Sequence, residues 1–191
     1  MSTTIQDEIR KAVEVLNKGG IILYPTDTIW GIGCDATNPD AVKRIYEIKK
    51  REDSKSMLVL MENPNLLERY VEEVPEVAWD LIEYADKPIT IIYPGAKGLA
   101  KNLFAEDGSI GIRFTREEFS SRLIQQFRKP VVSTSANISG EPSPKHFREI
   151  SEAIKNAVDY VVDWRQEEQD NPKPSSIMKL GIGGQFTIIR P

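Results

Sequence analysis

Apolar positions along the chain alternate between two periods. Over residues 4–17, Ile5, Ile9, Val13 and Leu16 recur on one helical face, and Gly19-Gly20 supplies a stop. The unbroken run Ile21-Ile22-Leu23-Tyr24 then reads as a buried strand ending at Pro25, which lacks a donor and has a fixed φ. Helical spacing returns over residues 39–50 with Ala41, Val42, Ile45 and Ile48, capped by Asn38 or Asp40, and residues 57–61 form another buried strand. Downstream, the pattern predicts a helix pair at 65–71 and 74–84, with Trp79 and Leu81-Ile82 in the core. Strands follow at 89–93, stopped by Pro94-Gly95, and at 109–114, then a helix at 117–127 and a short strand at Val131-Val132. The last third predicts a helix over 146–156, a strand over 160–163 and a polar loop over 165–173. A strand headed by Ser175-Ser176, a turn at 181–184 and a final strand at 186–190 complete the chain. Strands and helices alternate without repeats, so the expected fold is α/β: a twisted, open, mixed sheet with flanking helices.

Polar residues gather at the ends of these elements. Thr26-Asp27-Thr28, Trp30, Gly31 and Gly33 follow the first strand, where α/β proteins place ligand groups. Lys49, Lys50, Arg51 and Lys55 crowd a helix-to-strand loop; such cations also simply complement a helix dipole. The segment Ser133-Thr134-Ser135-Ala136-Asn137-Ile138-Ser139-Gly140 is rich in hydroxyls and amides, as ligand loops and ordinary turns both are. Arg113 sits inside an apolar strand, where its charge requires a partner.

Composition narrows the chemistry. With 191 residues, 28% charged and 40% hydrophobic, the chain fits one large domain or two small ones with a real core. A net charge of −4 argues against a nucleic-acid coat while allowing a local basic cleft. Cys34 is the only cysteine, so no internal disulfide forms and a reducing compartment is expected. His146 is the only histidine, which excludes a Cys/His structural zinc site and leaves a Cys34–His146 nucleophilic pair on paper only. No apolar run has the length of a membrane span, and the N-terminus lacks signal-peptide features, so a cytoplasmic protein is expected. No Walker A pattern is present, so any triphosphate must rest on side-chain cations and hydroxyls.

Taken together, Tyr24-Pro25-Thr26-Asp27-Thr28, the Lys49-x-Arg51 cluster with Lys55, and Ser135-x-Asn137 resemble the YrdC-like (TsaC) family of threonylcarbamoyl-AMP synthases. Arg113 within Gly-Ile-Arg-Phe and Ser175-Ser176 after Pro174 extend the resemblance to nearly the whole chain. Two positions depart from the family's usual pattern: Glu52 stands where members commonly carry proline, and Trp30 where they carry Tyr or Phe. The resemblance implies a single YrdC-like domain over residues 1–191 with a charged central cleft, lacking the second C-terminal domain of longer members. It implies a reaction in which L-threonine, bicarbonate and ATP give threonylcarbamoyl-AMP and pyrophosphate. A separate transferase then uses the product to modify tRNA. By the same resemblance, Lys49, Arg51 and Ser135 are the expected catalytic groups, and Lys49, Arg51, Lys55, Ser133, Ser135, Asn137 and Ser143 hold ATP. Thr26, Thr28, Arg113, Ser175 and Ser176 hold threonine. Arg113 is expected to lack a partner until the threonine carboxylate arrives, and Mg2+ to come bridging phosphates rather than in a protein cage. Two other readings fit the same residues: a module binding double-stranded RNA or tRNA, and a carbamoyl- or adenylyl-handling enzyme with another acceptor.

Overall fold

The computed structural model describes residues 4–50, 57–170 and 172–191. Helix α1 (Ile5–Asn17) starts where Thr4 accepts a hydrogen bond from the Asp7 amide, and ends before Gly19, whose φ of 74° suits a residue without Cβ. Strand β1 (Ile22–Tyr24) follows, then β2 (Gly31–Gly33). Helix α2 (Pro39–Lys49) is capped by Asn38, whose side chain accepts from the Asp40 and Ala41 amides, while Asp40 lies in the first turn. Then come β3 (Leu58–Met61), a 3-10 turn (Pro64–Arg69), α3 (Glu76–Tyr84), β4 (Ile89–Tyr93) and β5 (Ile110–Phe114). Helix α4 (Glu118–Phe127) leads into β6 (Val131–Ser135). After α5 (Glu152–Ala157), the strands β7 (Tyr160–Val161), β8 (Ser176–Leu180) and β9 (Phe186–Arg190) complete the described elements.

Four expectations change. The sequence 31–33, read as a glycine-rich loop, is a strand, because the absence of side chains lets β2 lie tightly between neighbours. A Cβ on Gly33 would come within 2.6 Å of both the Tyr24 ring and the Val132 carbonyl. The strand begun at Val131 continues through Ser133, Thr134 and Ser135, since ladder pairing to β2 and β3 outweighs the turn preference of its hydroxyls. The 65–71 helix is a 3-10 turn. The 146–156 helix is broken into a 3-10 turn (Phe147–Glu149) and α5, because Ile150 is extended and Ser151 recaps the chain by accepting from the Ile154 amide.

The strands form one mixed sheet in the order β7-β1-β2-β6-β3-β5-β4-β8-β9. Neighbours β3 and β5, β4 and β8, and β1 and β7 run parallel; the other pairs are antiparallel. Side chains alternate across it. On one face Leu23, Ile32, Val59, Ile91 and Ile112 share a core with Ala41, Ile45, Ala78 and Ile82 of α2 and α3. On the other, Ile22, Tyr24, Leu60 and Val131 pack under Ile9, Leu16, Phe119 and Leu123 of α1 and α4. Two residues along from Leu60 and Val131, this second face continues through Leu58 and Ser133, and there the sheet borders a cavity.

Candidate active site

The cavity has a volume of about 340 Å³. The sheet supplies its floor through Gly111 and Arg113 of β5, Thr90 of β4 and Ile177 of β8, with Ser133 and Ser135 from the end of β6. The chain after β1 supplies Thr28, Ile29 and Trp30 as one wall; Ser143, Pro174, Ser175 and Arg190 complete it. Gly111 keeps the floor low: a Cβ there would touch Leu58 Cβ and Thr90 Cγ2 at 3.4 Å, and any larger group would rise into the space.

Arg113 is only 4% exposed. The expectation that it waits without a partner is corrected. A terminal nitrogen of its guanidinium pairs with Asp27 Oδ1 at 3.0 Å and donates to Thr28 Oγ1 at 3.2 Å, because a bare buried guanidinium would be too costly. Its Nε and Asp27 Oδ1, both buried, have no well-aligned hydrogen-bond partner among the described residues, so the pair is held by charge. Burial raises the carboxyl pKa of Asp27 more than Arg113 lowers it. A second guanidinium faces the same space: Arg190 donates from Nε to the Ser175 carbonyl at 2.8 Å, and both its burial and the charge of Arg113 lower its pKa. The Ser175 hydroxyl in turn shares a 2.8 Å hydrogen bond with Thr90. Asp27, Thr90 and Arg190 were absent from the expected set. Asp27 stands in a motif already singled out, but its pairing with Arg113 spans two distant segments and left no local signal. Thr90 and Arg190 sit in unremarkable strands and left no local signal.

Lys49 sits deeper than the residues of the cavity wall. It is 1% exposed, and its ammonium donates to the carbonyl oxygens of Ser135 at 2.5 Å and Asn137 at 2.6 Å. The backbone of Lys49 also accepts from the Ser139 amide. Lys50 ends the helix with a φ of 49°, which turns the chain sharply after the last helical residue. Lys49 thereby ties the end of α2 to the serine-rich segment, and it is not among the described residues that line the cavity. Asn137 acts similarly, its amide donating to the Ile138 and Glu141 carbonyls, and it does not line the cavity. Arg51, Lys55 and Glu52 lie outside the described residues.

Two more expected ligands turn out to shape the site. Thr26 donates to the Ile29 carbonyl at 2.7 Å and accepts from the Thr28 amide at 3.1 Å, folding the wall on which Thr28 stands. Arg165 braces that wall from outside, donating to the Thr26 carbonyl and pairing with Glu117 at 3.0 Å. Ser176 begins β8 and is not among the cavity residues, whereas Ser175 is. The structure thus brings together Thr28, Arg113, Ser133, Ser135, Ser143 and Ser175. A Cys34–His146 pair is excluded. Cys34 is buried in the core with its thiol pKa pushed up by burial, and His146 bonds Glu149 Oε1 and the Asp170 carbonyl.

Among the described residues no group of three or more His, Cys, Asp or Glu side chains is placed to hold a metal ion. No described helix is long and apolar enough to cross a membrane.

A mixed sheet bordering a cavity that holds two guanidiniums and a row of hydroxyls among apolar walls has the groups that small, anionic, oxygen-rich molecules need. The chain belongs to the Sua5/YciO/YrdC family, whose model, described as "Telomere recombination", matches residues 14–191. It is 34% identical over 184 residues to a threonylcarbamoyl-AMP synthase of Pseudoalteromonas translucida, covering 95% of this chain and 97% of that one. It is 35% identical over 180 residues to a putative threonylcarbamoyl-AMP synthase of Methanocaldococcus jannaschii, covering 92% of this chain and 83% of that one. Among solved structures, P. abyssi Sua5 complexed with L-threonine superposes with a TM-score of 0.85 at 26% identity, over 94% of this chain and 52% of the Sua5 chain. The chain thus spans about half of that longer protein.

Proposed function

We propose that this chain is an L-threonylcarbamoyladenylate synthase. The observation that carries the reading is the meeting, in one cavity, of Arg113 and Ser175 with the hydroxyls of Ser133 and Ser135, in a chain matched over 95% of its length by a threonylcarbamoyl-AMP synthase. The reaction first joins the threonine amine to the bicarbonate carbon with loss of water. A carbamate oxygen then bonds to the ATP α-phosphorus as the bond to the β-phosphate oxygen breaks and pyrophosphate leaves.

Each step needs something these residues can give. Arg113 offers its guanidinium edge to the threonine carboxylate, and Ser175 and Thr28 offer hydroxyls to its polar groups. Ser133, Ser135 and Ser143 face the α-phosphate and ribose, and Arg51 and Lys55 supply charge for the departing pyrophosphate. Lys49 serves catalysis by fixing the backbone that presents Ser135. Mg2+ would arrive on the ATP phosphates, since no carboxylate is among the described residues that line the cavity. The product passes to a separate tRNA threonylcarbamoyl transferase, a cytoplasmic step. Pyrophosphate release, assayed with threonine and bicarbonate each omitted in turn, tests the proposal: release requires both, and undiminished release without threonine removes it.

A further inference from the structure

Asp27 stands on the far side of Arg113 from the main cavity. Arg113 lines that cavity; Asp27 lines instead a second one of about 180 Å³, behind the sheet end, together with Ile82, Lys87, Phe114 and Arg116. The two partners of one ion pair thus line two different spaces, and both Asp27 Oδ1 and Arg113 Nε lack a well-aligned hydrogen bond among the described residues.

The charges around Asp27 leave it one partner. From β5 there is Arg113 at 3.0 Å. From the start of α4 comes Glu117, a like charge, itself paired with Arg165 and capping the Phe119 and Ser120 amides. Asp86, Lys87 and Arg116 line the second cavity with Asp27, and Arg116 spends a terminal nitrogen on the Ile82 carbonyl. A ligand carboxylate docked on Arg113 puts a second anion on a guanidinium that already balances one. Two carboxylates at one buried cation cannot both stay ionised cheaply, and the usual resolution is a proton on one of them.

We infer that Asp27 and the substrate carboxylate share the guanidinium of Arg113, and that Asp27 takes up a proton from solvent as the carboxylate docks. This rests on the proposed docking of threonine at Arg113. The second cavity gives the proton a route that does not cross the substrate, since the Asp27 side chain keeps 11% of its surface exposed. Charge balances: the proton neutralises Asp27, and the guanidinium transfers its pairing to the ligand. Burial already holds the Asp27 carboxyl above its ordinary pKa, so the shift demanded on docking starts from a raised value.

Titration calorimetry of L-threonine into the protein at pH 6.5, in PIPES and in imidazole, a buffer of higher ionisation heat, reads the proton directly. The observed heat should change with buffer by a clear fraction of one proton, and in Asp27→Asn, which keeps the shape but cannot titrate, the buffer dependence should vanish while threonine still binds. On the unaltered chain alone, the Kd for threonine should rise about two- to tenfold per pH unit between pH 6 and 8, whether or not the variant folds. Binding with no buffer dependence and a flat Kd overturns the sharing, and leaves Asp27 ionised with the carboxylate served by Arg190. Equal buffer dependence in Asp27→Asn and the unaltered chain also overturns it. No threonine binding at all removes the docking on which the inference stands, and the inference with it.

Discussion

At the scale of single residues, two buried cations sit differently: Arg113 pairs with the Asp27 carboxylate beside the cavity, while the Lys49 ammonium donates to the Ser135 and Asn137 carbonyls. Arg113 keeps part of its fork turned to a cavity, so its geometry matters as much as its charge. Arg113→Lys should lower threonine affinity by about tenfold or more while ATP affinity stays within about twofold, measured by calorimetry on each ligand alone. A matched loss for both ligands would move Arg113 to the nucleotide. Lys49 is the opposite case. Lys49→Met keeps the length of the side chain but strands the Asn137 carbonyl, at about 1–3 kcal/mol for a buried acceptor left unpaired, while the Ser135 carbonyl keeps the Asn137 amide. A clear fall in Tm together with a fall in turnover is expected. An unchanged Tm with a raised KM for ATP alone would return Lys49 to the phosphates.

Elements carry the site because strand ends, more than loops, deliver its polar groups. The floor glycine makes the point: Gly111→Val suits a strand, yet its branches would rise from a position already 3.4 Å from Leu58 and Thr90. Turnover should fall at least about tenfold with a Tm change under about 3 °C, since the added bulk enters open space rather than core. Normal turnover in that variant would mean that the cavity is not where substrates sit. Legibility in the sequence followed the same division. Helices with clear caps, such as α1 and α2, and apolar strands such as β4, could be read to within a residue or two because their signals are local. Arg113 was legible as a residue in need of a partner, but its pairing with Asp27 joins β5 to the segment after β1, and no local pattern records that distance. The strand character of Gly31–Gly33 and of Ser133–Ser135 is set by neighbours in the sheet, which overrule turn-prone compositions. Arg190 is the extreme case: it enters the site only because β9 pairs with β8 and sends its guanidinium back to Ser175.

For the whole molecule, the two-sided core must hold the open half of the sheet steady, and one buried carboxylate pins its first helix. Glu8 of α1 accepts from the Tyr160 hydroxyl, from the Asp163 amide at 2.8 Å and from Lys11 at 2.8 Å, joining α1 to the strand that edges the sheet. Burial alone would raise its pKa, but these bonds outweigh burial and the net shift is downward from 4.5. A lowered carboxyl pKa stabilises the fold above the unfolded value and loses that contribution as pH falls through the folded one. Glu8→Gln should therefore be less stable than the unaltered chain at pH 7, with the gap closing below about pH 4.5. A gap in Tm that persists unchanged at pH 3 would contradict the role given to the charge. The proposed reaction makes one central chemical claim, that bicarbonate carbon becomes the link between threonine and AMP. The direct measurement is mass spectrometry of the products formed from ATP, L-threonine and ¹³C-bicarbonate. The account predicts threonylcarbamoyl-AMP heavier by one mass unit than the product made from ordinary bicarbonate; a threonine–AMP adduct without the label, or no adduct alongside continued AMP formation, would contradict it.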